Sequence, residues 1–93
     1  MDKKDYTVVF TDEFDDALDK LSEEHQQLVL NKIILLKTNP FYKSLRTKKI
    51  KGNYESSVNM DIRIIWQFDG LRMILLLDVG HHDIIRKYNK RRK

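Results

Sequence analysis

The chain has no cysteine, one proline, three glycines and one tryptophan in 93 residues. Without thiols there is neither a disulfide framework nor a thiolate metal site, which fits a reducing compartment and makes the cytoplasm the expected location. No apolar run approaches the roughly 20 residues of a membrane span. The opening MDKKDYTVVF is too short and too acidic in its flank for a secretory signal, so no membrane partner is expected. Gly52, Gly70 and Gly80 stand alone and cannot form a Gly-rich phosphate loop, and no nucleophile motif is present. Low-complexity segments and internal repeats are missing too.

What remains is a globular composition, 41% apolar and 34% charged. A chain of this length supports a single core, so residues 1–93 are read as one domain. Its charge is unevenly spread: residues 1–25 hold nine acids and three bases, whereas 26–93 hold fifteen bases and five acids. The bases gather in KSLRTKKIK at 43–51 and RKYNKRRK at 86–93. Within them Lys43, Arg46, Lys48, Lys49, Lys51, Arg86, Lys87, Lys90 and Arg91 are the candidate contacts for the phosphates of a nucleic acid.

YTVVF at 6–10 reads as a first strand, β-branched and aromatic. Thr11 can cap a helix over about 12–21, with Asp12 and Glu13 favoured in its first turn and Phe14, Ala17, Leu18 and Leu21 on one face. Ser22 can cap a second helix running to Lys37, stopped by TNP at 38–40. The two helices follow almost without a loop, as an αα-hairpin.

After a basic loop, alternation returns. Tyr54, Ser56 and Val58 point one way and Glu55 and Ser57 the other; the chain reverses at 59–61, and Ile62, Ile64, Trp66 and Phe68 then form an apolar face. Arg63 looks out of the opposite face, beside Glu55 or Ser57. Asp69-Gly70 is a two-residue hairpin signal, with 71–79 as the partner strand. These elements predict an α+β fold: an N-terminal strand, an αα-hairpin, then a three-strand antiparallel meander in one sheet packed against the helices, and a short C-terminal helix at 84–91 behind Asp83.

Chemistry is confined to few residues. Neighbouring ligands in HHD at 81–83 diverge in most backbones, so no metal is expected. Arg63, His81, His82 and Tyr88 can instead converge on one sheet face. An arginine fork grips phosphate, a histidine moves protons near neutral pH, and a tyrosine stacks on a base or donates a hydrogen bond. By alternation, one histidine should continue the core-facing side and the other turn toward Arg63.

Two stretches, KKIKGNYESSVNMDIRIIW at 48–66 and LLLDVGHHDIIRKY at 75–88, resemble the RelE/ParE superfamily of toxins from type II toxin–antitoxin modules. The likeness covers nearly the full length and the order of elements. In that superfamily RelE-like members enter the ribosomal A site and cut mRNA, ParE-like members poison DNA gyrase, and both are held inactive by a cognate antitoxin. The resemblance puts the family's strand arginine at Arg63, its basic position after the glycine at His82 and its C-terminal tyrosine at Tyr88. Two functional lysines of RelE fall at Glu55 and Ser57.

It implies a metal-independent, cofactor-free endoribonuclease that inhibits translation and arrests growth, with antitoxin, ribosome and mRNA as partners. Arg63, His82, Tyr88, His81 and Glu55 would be its catalytic residues, Glu55 or His82 acting as base. The alternatives are a ParE-like gyrase inhibitor without nuclease activity and a degenerate toxin that only binds its antitoxin.

Overall fold

The computed structural model describes residues 5–89. The chain runs β1 (Thr7–Phe10), α1 (Asp12–Asp19), α2 (Glu23–Thr38), a 3₁₀ turn (Lys43–Leu45), β2 (Lys48–Ile50), β3 (Asn53–Ser57), β4 (Ile62–Phe68), β5 (Met73–His81) and α3 (Ile84–Asn89). The five strands form one sheet in the order β1-β5-β4-β3-β2. The pairs β2–β3, β3–β4 and β4–β5 are antiparallel, while β1 returns beside β5 in parallel.

Both helix starts follow from short polar caps. Thr11 Oγ1 accepts from Phe14 N–H at 3.2 Å and donates to the Leu76 carbonyl at 2.7 Å, so one hydroxyl starts α1 and fastens it to β5. Ser22 Oγ accepts from His25 N–H at 3.1 Å at the start of α2. The helices bury Phe14, Val29, Ile33 and Leu36 against Ile62, Ile64, Trp66, Ile74 and Leu76 of the sheet, with Phe68 at the margin of the same core.

Three expectations change. The meander has a fourth strand: Lys48–Ile50, read as loop because of its lysines, pairs with Asn53–Ser57, and the tight turn between them places Lys51 at φ 22° and Gly52 at φ 82°. At Asp69-Gly70 the connection is four residues long, from Phe68 to Met73, with Asp69 N–H bonded to the Met73 carbonyl at 2.8 Å. The first helix closes at Asp19, two residues early, because Lys20 and Leu21 N–H bond back three residues to Ala17 and Leu18. Of the predicted C-terminal helix, positions 90 and 91 lie outside the described residues.

One directional hydrogen-bond relay crosses the core. Trp66 Nε1–H donates to Ser56 Oγ at 2.9 Å, the Ser56 and Thr47 hydroxyls are 2.6 Å apart, and Thr47 Oγ1 donates to the Pro40 carbonyl at 2.7 Å. Since the Thr47 proton goes to Pro40, Ser56 must donate to Thr47. Ser56→Ala removes the middle of the relay and leaves the indole N–H of a fully buried Trp66 without its acceptor. The expected loss is about 1–3 kcal/mol, measured as a lower urea midpoint with tryptophan emission as the probe.

Candidate functional site

The site stands on the sheet face turned away from α1 and α2. Because side chains alternate, packing Ile62, Ile64 and Trp66 inward sends Arg63 and Ile65 outward. Register then fills in the neighbours: Ser57 lies opposite Arg63, Glu55 opposite Ile65, Lys48 opposite Glu55, and Gly80 and Asp78 follow on β5. This face is not bare, since Ile65 is fully buried and Ile50 nearly so.

Arg63 is held on two edges. Its Nε lies 3.6 Å from Glu55 Oε2, and Nη1 donates to the Asn59 carbonyl at 2.8 Å. The side chains are 18% and 5% exposed, so this is a largely desolvated pair and not a solvated strand arginine. Glu55 therefore orients the guanidinium. Nη2 has no partner among the described residues and is the donor edge left for a ligand.

The histidines gather elsewhere. His81 lies opposite Ile62 and so continues the helix-side face, where its ring meets that of His25 edge-on at 6.3 Å. Its Nδ1 is 2.8 Å from Asp61 Oδ2, and His82 Nδ1 is 3.8 Å from Asp61 Oδ1. The hydrogen bond with His81, followed by the charges of His81 and His82, holds the Asp61 carboxyl below its usual range. His82 follows the end of β5 and meets the same Asp61 carboxylate as His81; no contact joins either histidine to Arg63 among the described residues. Among the described residues no set of three His, Cys, Asp or Glu side chains is placed to hold a metal ion.

Tyr88, on α3, meets the part of β5 that runs past β1, in a cleft shared with Glu13 and Asp16 of α1. Its hydroxyl donates to Asp78 Oδ2 at 2.9 Å, Lys87 Nζ lies 3.5 Å from the same oxygen, and Asp78 Oδ1 accepts from Val79 N–H at 2.8 Å. Burial, then the bond to Asp78 and the charges of Asp78 and Glu13, push the Tyr88 hydroxyl far above its ordinary value. It is thus a hydrogen-bond donor near neutral pH and not a base. Gly80 lets α3 come close: a Cβ there would meet Ile84 Cγ2 at 3.0 Å.

No family model and no curated protein matches the sequence. Solved structures do match. A chain of the Mycobacterium tuberculosis RelBE2 toxin–antitoxin complex superposes with a TM-score of 0.71 at 22% identity, covering 83% of this chain and 98% of that one. A chain of the archaeal RelE–RelB complex from Pyrococcus horikoshii gives 0.71 at 20%, covering 82% and 93%. YafQ from Escherichia coli gives 0.67 at 14%, covering 86% and 97%. The chain has the RelE-type fold.

On this RelE-type sheet, Arg63, Glu55 and Ser57 share the outer face, while Asp78 and Tyr88 pair at the margin of β5, in a cleft they share with Glu13 of α1. His81 is turned off that face, and His82 is tied with His81 to Asp61 in the β3–β4 connection. The basic positions divide into three groups: Lys43 on the 3₁₀ turn with Arg46 just after it, Lys48, Lys49 and Lys51 on or after β2, and Arg86 and Lys87 on α3. Lys90 and Arg91 lie outside the described residues. Sequence reasoning passed over Asp78, Asp61 and Asn59. A signal existed for Asp78, a lone carboxylate inside the apolar run LLLDV; Asp61 and Asn59 act through contacts that only the folded chain shows.

Two outcomes follow from these contacts. Asp78→Ala removes the shared acceptor of Lys87 and Tyr88, and amide exchange over 84–88 is expected to accelerate at least about 10-fold, while exchange in β4 is unchanged. Because the Asp61 value is depressed in the fold, its stabilising effect is complete above the ordinary aspartate value of about 3.9 and is lost as pH falls through the lower folded value. Asp61→Asn should therefore flatten the unfolding midpoint against pH below about 4, and only slightly, since the pair is half exposed.

Proposed function

We propose that this chain is the toxin of a type II toxin–antitoxin module and cleaves mRNA on the ribosome, in the cytoplasm. The observation that carries the reading is Arg63, immobilised by Glu55 and Asn59 with one donor edge free on the outer face of a RelE-type sheet. A donor fixed before the reaction stabilises developing charge without reorganising. The fold neighbours include chains of RelBE complexes, which supports a cognate antitoxin as partner.

In the cleavage step the ribose 2′-oxygen attacks the adjacent phosphorus and the bond to the 5′ oxygen breaks, leaving a cyclic phosphate and a free 5′ hydroxyl. Arg63 meets the negative charge on the phosphorane. We assign the proton transfers to the His82 imidazole, which takes one from the 2′-hydroxyl or gives one to the departing oxygen. Tyr88, protonated, orients the substrate as a donor or stacks on a base. Lys48 and the other bases dock RNA of the message or the ribosome, with affinity falling as salt rises.

A second reading draws on Glu55 and Ser57. Two cations expected beside Arg63 are absent, which favours a gyrase poison that needs no nuclease chemistry. Induced expression separates the two: loss of translation before loss of DNA supercoiling supports the nuclease, and the reverse order supports the gyrase poison. Arg63→Ala is expected to lower mRNA cleavage by at least about 10²-fold and to abolish growth arrest with antitoxin binding intact. Since Ala leaves Glu55 buried without its partner, Arg63→Lys is the companion variant: it keeps the charge, loses the planar fork, and is also expected to be impaired. Full arrest by both variants would exclude Arg63 from the chemistry.

A further inference from the structure

A cleft of about 260 Å³ opens between the 3₁₀ turn and the β3–β4 connection, lined by Ser44, Arg46, Ser57, Val58, Asn59, Met60 and Arg63. Two arginines are among its lining residues and no acidic residue is. Its donors are unused: the Arg46 side chain, the Ser44 and Ser57 hydroxyls and Arg63 Nη2 have no hydrogen-bond or ion-pair partner among the described residues. Asn59 spends its side-chain oxygen on Asp61 and Ile62 N–H, at 2.8 and 2.7 Å, so its amide nitrogen is also left over. Glu55 sits at the Nε edge of Arg63 and is not among the lining residues. Converging free donors with no acceptor of their own call for an anion.

The backbone presents Arg46 at a cost. Arg46 is a non-glycine residue at φ 48°, ψ 44°, a strained left-handed conformation that persists where its surroundings fix it. They do so on both sides: Leu45 is fully buried, Arg46 N–H bonds to the Lys43 carbonyl at 3.1 Å, and Thr47 is fastened to Pro40 and Ser56. The cleft is smaller than the roughly 300 Å³ at which small-molecule pockets begin, enough for a phosphate group but not for a cofactor. Met60, 89% exposed at its rim, offers an apolar surface to a base.

We infer that this cleft is a subsite for a backbone phosphate of single-stranded RNA, gripped between Arg46 and Arg63 and hydrogen-bonded by Ser44, Ser57 and Asn59. The inference rests on the RNA-cleaving reading and assigns Arg46, Ser44, Ser57 and Asn59 to substrate binding. RNA is favoured over an acidic protein segment because hydroxyl and amide donors mixed with two arginines suit a tetrahedral phosphate flanked by a base.

The test is fluorescence anisotropy of a short single-stranded RNA, 2′-O-methylated to block cleavage, titrated with the full chain over a range of salt. Arg46→Ala is expected to weaken binding about 10-fold and to reduce the slope of log affinity against log salt by about 0.7, the value for one phosphate contact on a single strand. Ser44→Ala with Ser57→Ala should weaken binding without changing the slope, and Lys37→Ala, on α2, should change neither. Urea unfolding of Arg46→Ala guards against a folding loss, and Arg46→Gly, free of left-handed strain, must show the same defect.

Unchanged RNA affinity and slope in both Arg46 variants would overturn the subsite. So would a defect confined to binding of the antitoxin, which would assign the cleft to an acidic segment of that protein. A wild-type chain that binds RNA through Arg46 but leaves translation intact would sink the nuclease reading alone; one that blocks translation equally with and without Arg46 would sink the subsite alone.

Discussion

The relay from Trp66 through Ser56 and Thr47 to the Pro40 carbonyl is the constraint on which the rest of the molecule depends. Trp66 is the largest fully buried side chain, and its N–H has to find an acceptor in an apolar core, where an unpaired donor is costly. It finds one on the neighbouring strand, and that hydroxyl in turn fixes the segment between α2 and β2. The same contact that satisfies the core thus decides where the basic 43–46 turn stands. Phe41, Tyr54 and Phe68 pack around the indole at ring separations of 4.7 to 6.3 Å, so the relay has little room to rearrange.

With Trp66, Ile64 and Ile62 committed inward, the two-residue period leaves no choice for Arg63. Its neighbours on the outer face come from register, and the register is not uniform. A bulge between Ile65 and Trp66 against Asp78 and Leu76 adds Leu77 to β5 without a partner on β4. Beyond it β5 outruns β1, whose pairing stops at Leu76. The bulge thus separates the half of β5 that is flanked by β1 from the half that carries Asp78, Gly80 and the histidines, where α3 is tied by Tyr88 and Lys87.

Local signals made most of the fold legible. Thr11 and Ser22 cap the helices as read, and the apolar alternation of 62–68 identifies the central strand and its inward face. The lysines hid β2: in a three-residue edge strand only Ile50 is buried, and lysine on an edge protects it from further pairing while erasing the hydrophobic alternation that marks a strand. Pairing of β1 with β5 in parallel was beyond reach, because nothing local records a contact between residues more than sixty positions apart. The site was half legible. Alternation placed Arg63 outward beside Glu55, but it could not show that Asp61 draws His81 and His82 together, or that Asp78 takes the Tyr88 hydroxyl.

The Glu55–Arg63 pair also bears on which function the face can support. A carboxylate beside the arginine lowers the net positive charge available to an anion, and by itself works against phosphate binding. It also supplies what a mobile arginine lacks, a fixed direction, since Nε and Nη1 have partners and, among the described residues, only Nη2 has none. Positive charge must then come from side chains that are not spent on the fold. Arg46 on the turn is one of these, and that turn is held by the tryptophan relay. Core and site are in this sense one construction: the side chain that most needs a hydrogen bond inside the protein sets the position of a cation whose own side-chain hydrogen bonds are unmade among the described residues.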